Sequence, residues 1–428
     1  MNLPGSPFLA RDAAGTLTLE GHALTGLARD YATPLYVYSR NAMRSAVAAY
    51  HQALAGRPHL VCYAMKANSS LAVLQTFAEA GCGFDIVSAG ELQRVLAVGG
   101  SADKIVFSGV GKTRAEMRLA LEAGVRCFNV ESEAELDVLS EVATAMGKTA
   151  PISLRVNPDV DAKTHPYIST GLKGNKFGIS HEHALAVYQH AARLPGIVVH
   201  GIDCHIGSQI TEVSPYLDAL DRVLDLVEAI EAAGIPVHHL DLGGGLGITY
   251  TDEQPPSAGE LIGALLAKID ARGHGHREIL MEPGRSLVGN AGVLLTEVLY
   301  LKPGEHKNFC IVDAAMNDMA RPAMYEAWMA IVPCQQRSDA AQTWDVVGPV
   351  CESGDWLGRD RSFAVQPGDT LAMLSAGAYG MTMASNYNSR PRAAEVMVDG
   401  AQVTLIRARE TITSLFAGER LIDGPGNL

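Results

Sequence analysis

Cysteine pairs are missing from this chain. Its 428 residues include seven cysteines, an odd number, and no two of them form a CxxC pair. This spacing excludes the usual disulfide frameworks and zinc sites, so we expect reduced thiols and no metal site. The seven cysteines stand at positions 62, 82, 127, 204, 310, 334 and 351.

A surplus of positive charge is also missing. The sequence has 34 Lys and Arg against 47 Asp and Glu, a net charge of −13, and no segment concentrates basic residues. Nucleic acid is therefore not an expected partner, because its phosphates would meet no basic surface. The N-terminal residues show no basic segment followed by an apolar one, so no secretory signal is indicated and we expect a cytoplasmic location.

Apolar runs long enough to cross a membrane are absent as well. The uncharged segment 370–389 has the right length, but its Gly, Ser, Asn, Thr and Tyr residues would leave many polar groups in hydrocarbon. We expect no association with a membrane.

Eight short apolar segments alternate with segments of helical periodicity over the first two thirds of the chain. Apolar strands that alternate with helices are typical of a parallel sheet, and eight repeats predict a closed (β/α)8 barrel of the TIM type. The predicted strands are 59–66, 83–88, 104–109, 126–131, 152–157, 198–206, 238–243 and 278–283.

The pattern changes after residue 289. Strand-like segments separated by Gly, Pro and Asp turns replace the alternation, with fewer helices between them. We therefore predict an α/β chain of two domains: a barrel at 31–289, and a mainly β domain at 290–428 that residues 1–30 join. The predicted strands of this domain are 292–301, 309–313, 343–347, 369–374, 395–398 and 402–407.

Lys66 ends the first apolar segment of the barrel, where a buried ammonium is rare. A desolvated lysine can lose its proton and attack an aldehyde, which is how a Schiff base with pyridoxal phosphate begins. The alternative is a lysine that reaches solvent from a strand end. Other polar residues at the predicted strand ends favour the Schiff base, because such a barrel keeps its active site there.

The glycine run Gly243, Gly244 and Gly245 follows the seventh predicted strand. Backbone without side chains can turn its N–H groups toward a phosphate, although a tight turn would also need glycine. The loops after the seventh and eighth strands are the usual phosphate site of a TIM barrel, so we favour a phosphate cradle that Gly284 completes.

Glu282 is a carboxylate in an apolar segment, where it needs a partner or a shifted pKa. A pyridinium N–H is such a partner, and a salt bridge to Arg285 is the alternative. His205 stands at another predicted strand end, where it can serve as a flat platform for a cofactor ring or be an ordinary core histidine. We favour the ring partner and the ring platform.

Four residues of the second domain carry reactive or anion-binding groups. Cys351 can act as a proton donor, or it can be one more inert thiol. Arg321 with Tyr325 can clamp a substrate carboxylate, whereas an arginine on a solvated helix is the competing interpretation. Tyr379 lies among small residues that let a ligand come close, although a core tyrosine is the alternative.

These residues lie in motifs that resemble those of the diaminopimelate decarboxylases, which are fold-type III pyridoxal-phosphate enzymes. The resemblance runs from about residue 7 to the C-terminal region, with the motifs in the order of the family. They are YAMKAN, FDIVSAGEL, RVNPDVDAKTHPYISTGLKGNKFGI, HIGSQ, DLGGGLGI, EPGRSLVG, VDAAMNDMARPAMYEA, GPVCESGDWL and AGAYGMTMASNYNSRPR. The family architecture, shared with alanine racemase and ornithine decarboxylase, is an eight-stranded barrel with a β domain built from both chain ends.

The resemblance implies a role for each matching residue. Lys66 carries pyridoxal 5'-phosphate, His205 stacks on its ring and Glu282 pairs with the ring nitrogen. The implied phosphate and cofactor residues are Ser208, Gly243, Gly244, Gly245, Gly284, Arg285 and Tyr379. The implied substrate residues are Arg285, Arg321, Tyr325, Glu352 and Tyr379. Cys351, the implied proton donor, and Glu352 enter the site of the other subunit of a homodimer.

The implied reaction is the decarboxylation of the amino acid meso-2,6-diaminoheptanedioate to L-lysine, the last step of lysine biosynthesis. The alternatives are a related decarboxylase of ornithine, arginine or D-lysine, and a non-catalytic homologue. Ornithine and arginine lack a distal carboxylate for Arg321, and a non-catalytic homologue would be expected to lack Lys66 or Cys351. Segment 158–179 is longer than an ordinary loop and is predicted to act as a lid.

Overall fold

The computed structural model describes residues 3, 5–6, 8–161 and 175–422. Most of the predicted lid, residues 162–174, lies outside this description. The chain divides into two compact units, of which one comprises residues 43–248 and 253–287 and the other residues 1–42, 249–252 and 288–428. The boundaries predicted from the sequence, 30/31 and 289/290, stay a prediction.

The first unit is a barrel. Eight parallel strands form a closed ring, because β8 pairs with β9 as well as with β7, and β13 pairs with β5. A short additional strand, β10, pairs with β9. The strands are β5 (His59–Ala64), β6 (Gly83–Ile86), β7 (Ile105–Phe107), β8 (Cys127–Val130), β9 (Ala150–Asn157), β10 (Ile179–Ser180), β11 (Ile197–Asp203), β12 (His239–Asp241) and β13 (Glu278–Met281). The predicted fold class is confirmed.

Helices connect the strands of the ring, and several begin at a serine or threonine as the sequence predicts. Thr113 and Ser257 each form a full capping box, with Glu116 and Glu260 respectively, which satisfies backbone N–H groups at the helix start. The helices are α3 (Leu71–Glu79), α4 (Ala89–Ala97), α5 (Arg114–Ala123), α6 (Glu133–Ala145), α7 (His181–Ala191), α8 (Ser214–Ala232) and α9 (Ala258–Ala271).

Seven of the eight barrel strands end earlier than the sequence predicts, and three of them end before a candidate site residue with a reactive side chain. Strand β5 ends at Ala64, and Lys66 lies in a short 3-10 turn, Met65–Ala67. Strand β11 ends two residues before His205, and β13 ends just before Glu282. In the last case Pro283 follows, and a proline has no N–H with which to continue a strand ladder. The reactive residues therefore lie in the connections and not in the strands.

The second unit is built mainly of β-strands. Its large mixed sheet has the order β18-β17-β15-β14-β4-β20-β21, and β19 pairs with both β14 and β16. The N-terminal strands β1, β2 and β3 form a separate antiparallel sheet. The strands are β1 (Leu9–Arg11), β2 (Leu17–Leu19), β3 (His22–Ala23), β4 (Leu35–Ser39), β14 (Gly292–Lys302), β15 (Phe309–Val312), β16 (Ile331–Pro333), β17 (Gln342–Val347), β18 (Trp356–Phe363), β19 (Thr370–Met373), β20 (Ala394–Asp399) and β21 (Gln402–Arg407).

The core of the second unit draws on both ends of the chain. Leu17 and Leu35 are fully buried together with Leu295 and Val396 from the C-terminal part. The unit also contains α1 (Leu24–Tyr31) and α11 (Arg321–Tyr325), while α2 (Arg40–Ala53) and α10 (Arg285–Val288) lie at the divisions of the chain. Within the described ranges, no helix combines the length and the apolar character that a membrane crossing requires.

Candidate active site

Lys66 is held by a buried carboxylate at the carboxyl end of the barrel. Its Nζ donates a hydrogen bond to Oδ2 of Asp85, at 2.6 Å. The Asp85 side chain is fully buried, whereas 40% of the Lys66 side chain is exposed. The second oxygen of Asp85, Oδ1, finds no hydrogen-bond partner among the described residues. The partly exposed side chain of Lys66, oriented by buried Asp85, can therefore contact a ligand at the barrel mouth.

Three carboxylates from successive strand ends cluster beside this lysine. Asp203, Asp241 and Glu282 are all buried, and one oxygen of each lies within 4.8 Å of the others. Asn129 donates from Nδ2 to Oε1 of Glu282 at 3.2 Å, and the backbone N–H of Gly243 donates to Oδ1 of Asp241 at 3.0 Å. Oδ1 of Asp203 and Oδ2 of Asp241 have no partner among the described residues.

Burial raises the pKa of each member of this carboxylate cluster. For Glu282 the pKa lies well above its usual value because of burial and then the charge of Asp241. Burial and then the charge of Asp241 also raise the pKa of Asp203 well above its usual value. Burial raises the pKa of Asp241 to about 6. The buried guanidinium of Arg155 opposes the shift of Asp203. The cluster therefore retains protons to a higher pH than isolated carboxylates would.

The raised pKa of Asp241 makes the stability of the cofactor-free chain depend on pH. Its carboxyl binds a proton more tightly in the folded state, so its contribution is full below pH 4 and is lost as the pH rises through about 6. We expect Asp241→Asn to stabilise the chain by about 2 kcal/mol at pH 8 and by much less at pH 4.5. Urea unfolding at both pH values measures the difference, with Asp218→Asn on the exposed surface of α8 as control. An equal effect at both pH values would contradict the account.

The glycine run predicted from the sequence forms a close-packed turn after β12. Gly243 and Gly245 have φ of +65° and +100°, which side chains other than glycine rarely adopt. A Cβ on Gly244 would overlap the backbone carbonyl of Glu282, and one on Gly245 would overlap that of Gly207. Only glycine fits this turn, and the N–H groups of Gly243 and Gly244 donate to Asp241 and His205 respectively.

Ser208 and Arg285 lie together beside the glycine turn. Nη2 of Arg285 donates to Oγ of Ser208 at 3.0 Å, and the arginine is 6% exposed. Gly284, the preceding residue, packs closely against Ala64 and Ala67. A hydroxyl and a buried guanidinium are donors suited to a phosphate or a carboxylate.

His205 is neutral in this environment. The backbone N–H of Gly244 donates to its Nδ1 at 3.2 Å, which assigns the ring proton to Nε2. Burial, and then the charge of Arg155, lowers the pKa of His205 well below its usual value. A neutral, oriented imidazole presents a flat face without adding a charge.

Arg321 is buried in the second unit and does not lie on a solvated helix. It is 8% exposed at the start of α11, and its Nη1 donates to the hydroxyl of Tyr250 at 2.9 Å. Its Cζ lies 4.9 Å from the centre of the Tyr250 ring. Tyr325 ends the same helix and is partly exposed. Tyr379, also partly exposed, has a φ of +55°, an uncommon conformation for a tyrosine.

Cys351 differs from every other cysteine of the chain because it is exposed, whereas the other six are buried. Its backbone N–H donates to Oδ1 of Asn388 at 2.9 Å. The neighbouring Glu352 is exposed and accepts a hydrogen bond from the hydroxyl of Tyr387. Buried Asp355 accepts the N–H groups of Met316 and Val350, at 2.7 Å each, and so fixes this loop.

The sequence did not single out several residues of the barrel site. Asp85 and Asp241 lie within motifs that carry the resemblance, but nothing marked them as facing Lys66 or Glu282. Glu91, whose pKa burial raises to about 7, also went unnoticed. Each stands in or next to an apolar segment, and a carboxylate in such a place is the signal that could have found them.

Comparisons with known proteins agree with this geometry. A family described as "Pyridoxal-dependent decarboxylase, pyridoxal binding domain" matches residues 40–289. A diaminopimelate decarboxylase of Pseudomonas aeruginosa is 58% identical over 415 residues, which cover 97% of this chain and 99% of that protein. The chain belongs to the diaminopimelate decarboxylase family. The family predicted from the sequence is confirmed.

Solved structures of diaminopimelate decarboxylases have the same fold. The one from M. jannaschii in co-complex with L-lysine gives a TM-score of 0.93 at 38% identity and covers 98% of this chain and 99% of its own. The one from Helicobacter pylori complexed with L-lysine gives a TM-score of 0.89 at 40% identity and covers 92% and 99%.

The residues of the barrel unit fit pyridoxal phosphate, the cofactor predicted from the sequence and confirmed by the family match. Lys66 supplies a primary amine beside a buried carboxylate. The glycine turn packs its backbone closely against neighbouring carbonyls with no side chain between, and Ser208 and Arg285 beside it supply donors for an anion. Glu282 supplies a buried acid, and neutral His205 supplies a flat ring.

Proposed function

We propose that the chain removes CO2 from meso-2,6-diaminoheptanedioate and releases L-lysine, the last step of lysine biosynthesis. The observation that carries the proposal is Lys66, which pairs with a buried carboxylate at the barrel mouth, beside the glycine turn and buried Glu282. The chain that contains this site is 58% identical to a diaminopimelate decarboxylase. Bound L-lysine in the related structures is the expected product.

We assign the cofactor to residues of the barrel and to Tyr379 of the β-rich unit. Lys66 would attach it, Glu282 would pair with its ring nitrogen and His205 would lie against its ring. Its phosphate and surroundings would be held by Ser208, Gly243, Gly244, Gly245, Gly284, Arg285 and Tyr379. When bound, pyridoxal phosphate supplies an electron sink for the electron pair that remains on Cα as CO2 leaves.

Asp85 controls the proton of Lys66 in this assignment. Its Oδ2 accepts a hydrogen bond from Nζ at 2.6 Å, so it orients the amine toward the barrel mouth and favours its protonated form. Burial raises the pKa of Glu91 to about 7, and the charges of Asp85 and Lys66 also act on it, so Glu91 is the better acceptor for the proton that Lys66 must lose before it acts as a nucleophile.

Glu282 would supply a carboxyl oxygen to the ring nitrogen. Burial, and then the charge of Asp241, raises its pKa, so it would share a proton with a weakly basic nitrogen more evenly than an exposed glutamate would. Asn129 fixes its Oε1 at 3.2 Å, which orients the carboxyl.

We assign the substrate to Arg285, Arg321, Tyr325, Glu352 and Tyr379. Arg321 is the charged clamp for the distal carboxylate, because a buried guanidinium binds such a group in a bidentate manner. Ornithine, arginine and lysine have no carboxylate at that end. The clamp therefore accounts for the choice of a substrate with two carboxylates.

Replacing the clamp should impair binding of the substrate more than chemistry. For Arg321→Met we expect kcat/KM for meso-2,6-diaminoheptanedioate to fall by about 100-fold, mostly through KM, because one charged hydrogen-bonded pair is lost. Turnover of D-lysine, which lacks the distal carboxylate, should change little. Steady-state kinetics measure both, and Arg359→Met, an exposed arginine of the same unit, is the control. A fall of equal size for both substrates would mean a structural role instead.

We further propose that the chain works as a homodimer in the cytoplasm. The β-rich domain, residues 1–30 and 290–428, contributes to the dimer interface and to the active site of the partner subunit. Cys351, as proton donor, and Glu352 are the residues assigned to that shared site. Exposure of Cys351 supports this, since a donor for another subunit must reach beyond its own chain. The seven free thiols suit a reducing compartment.

A substrate comparison tests the proposed function. The cofactor-loaded protein is given meso-2,6-diaminoheptanedioate, L-ornithine, L-arginine and D-lysine in separate assays of CO2 release. We expect rapid turnover of the first compound only. Turnover confined to another amino acid would keep the fold and the cofactor and overturn the substrate.

A further inference from the structure

The β-rich unit contains an open cavity of about 470 Å³ that no proposed cofactor or substrate residue lines. This volume lies in the range of small-molecule sites. Its walls combine apolar side chains of β16 with Phe363 of β18, the ring of Trp328 and the side chains of Arg11 and Arg361. An apolar pocket with a few charged groups is the usual form of a ligand site.

Arg361 is the unusual member of this cavity. It is 7% exposed, and its guanidinium makes no hydrogen bond or ion pair with any residue in the described ranges. Its Nε is buried without an acceptor. Its Cζ lies 3.9 Å from the centre of the Trp328 ring, and that tryptophan is 49% exposed. A buried guanidinium with an aromatic neighbour and no anion is a costly arrangement unless something else pairs with it.

The backbone of β18 fixes the position of this guanidinium. Asp360 has a φ of +53° in an irregular part of the strand, where the pairing with β17 shifts between Trp344 and Val346. Gly358 lies directly beneath the arginine, since a Cβ there would come within 2.5 Å of Nε of Arg361. The Arg361 side chain therefore packs directly over the backbone of its own strand.

The charges around the cavity leave a positive excess. Arg337 is neutralised by a two-point ion pair with Asp369, at 2.6 Å for both bonds. Arg11 donates only to the backbone carbonyls of Gly15 and Pro333, which carry no formal charge. Burial lowers the pKa of Arg361 to about 10, and Asp360, which lines the cavity, offsets that in part. Arg11 and Arg361 together exceed the single charge of Asp360.

We propose that this cavity binds a small carboxylate with a flat apolar body. The carboxylate pairs with the fork of Arg361, whose planar geometry matches two oxygens. The apolar body lies along Phe363 and Ile331, which line the same cavity. Trp328 closes the other side of the guanidinium and strengthens the preference for a flat ligand.

Ligand-observed NMR titration of the cofactor-loaded, full-length protein tests the site. Benzoate is the probe, benzamide is its neutral counterpart of the same shape, and inorganic phosphate is the compact anion. We expect saturable binding of benzoate, at least about 10-fold weaker binding in Arg361→Met, and no saturable binding of benzamide or phosphate. Arg359→Met is the matched control, because Arg359 stacks on Trp356 at 4.0 Å on the same strand and does not line the cavity.

Four results of the titration would overturn the proposal: no saturable benzoate binding, equal binding by Arg361→Met, binding of phosphate instead, or loss of benzoate binding in Arg321→Met. The last result would place benzoate at the proposed substrate clamp. If sedimentation shows that Arg361→Met dissociates an oligomer, the cavity is an interface and the proposal fails. Arg361→Met removes an unpaired buried charge, so its melting temperature should not fall, and that measurement confirms that the variant folds.

Discussion

Lys66→Ala is expected to abolish covalent attachment of the cofactor and to lower kcat by about four orders of magnitude, of the order seen when a catalytic nucleophile is removed. The physical reason is that Lys66 pairs with a buried carboxylate while 40% of its side chain stays exposed, whereas Lys112, which pairs with Glu135, is almost fully buried. Borohydride reduction followed by mass spectrometry measures the attachment, and CO2 release measures kcat.

Lys104→Ala is the matched control for this variant. Lys104 precedes β7 and donates to the carbonyl of Gly81, away from the carboxyl ends of the strands. It should keep the cofactor mass and the wild-type rate. Retention of the cofactor mass by Lys66→Ala would contradict the assignment, and retention of activity would overturn the mechanism built on it.

Mixing two inactive variants is expected to restore activity. Cys351→Ser should lower kcat by about 100-fold or more, because a general acid contributes on that scale. We assume that each site takes Lys66 from one subunit and Cys351 from the other. A hybrid dimer of one Lys66→Ala subunit and one Cys351→Ser subunit then has one site with both residues intact and one site with neither. Random exchange of subunits at equal amounts then gives about a quarter of the wild-type activity, since half of the dimers carry one working site of two.

The size of the recovered activity distinguishes the alternatives. Refolding the two variants together and assaying CO2 release measures it, with each variant refolded alone as control. No recovery, with dimers shown by sedimentation, would place Cys351 in the site of its own subunit. Full activity in Cys351→Ser alone would remove it from the mechanism while leaving the barrel assignments intact.

Much of the barrel followed from periodicity. Buried strands read as continuous apolar segments, and all eight predicted segments correspond to strands of the ring. Periodicity did not show where those strands end. The turn at Met65–Ala67 ends β5 early, and the proline after Glu282 ends β13 early. These are local backbone effects that the pattern of apolar residues does not show.

The β-rich unit was harder to predict. Strand β4, residues Leu35–Ser39, pairs with β14 and β20, which lie more than 250 and 350 residues later in the chain. The segment LYVYS contains no local signal for such partners, since its five residues are all buried and only Ser39 is not hydrophobic, a pattern that also suits a barrel strand. Strands β16 and β18 were missed because one is short and the other carries Arg359, Asp360 and Arg361.

The candidate site was predictable where residue type alone decides the chemistry. An amine in an apolar segment, a glycine run and a lone glutamate indicated the cofactor residues. The apolar segments around Asp85 and Asp203 could have marked them as unusual carboxylates, but their partners were not predictable, because those partners come from other strands. The barrel brings Asp203, Asp241 and Glu282 to within 4.8 Å, and only the closed ring makes that visible.

The most direct test of the account is the product balance with meso-2,6-diaminoheptanedioate in the presence of added pyridoxal phosphate. One CO2 and one lysine should form for each substrate consumed, and chiral chromatography should identify the lysine as the L enantiomer. Absence of CO2, or the formation of D-lysine, would contradict the central claim. If no amino acid tested released CO2, the result would favour the non-catalytic homologue.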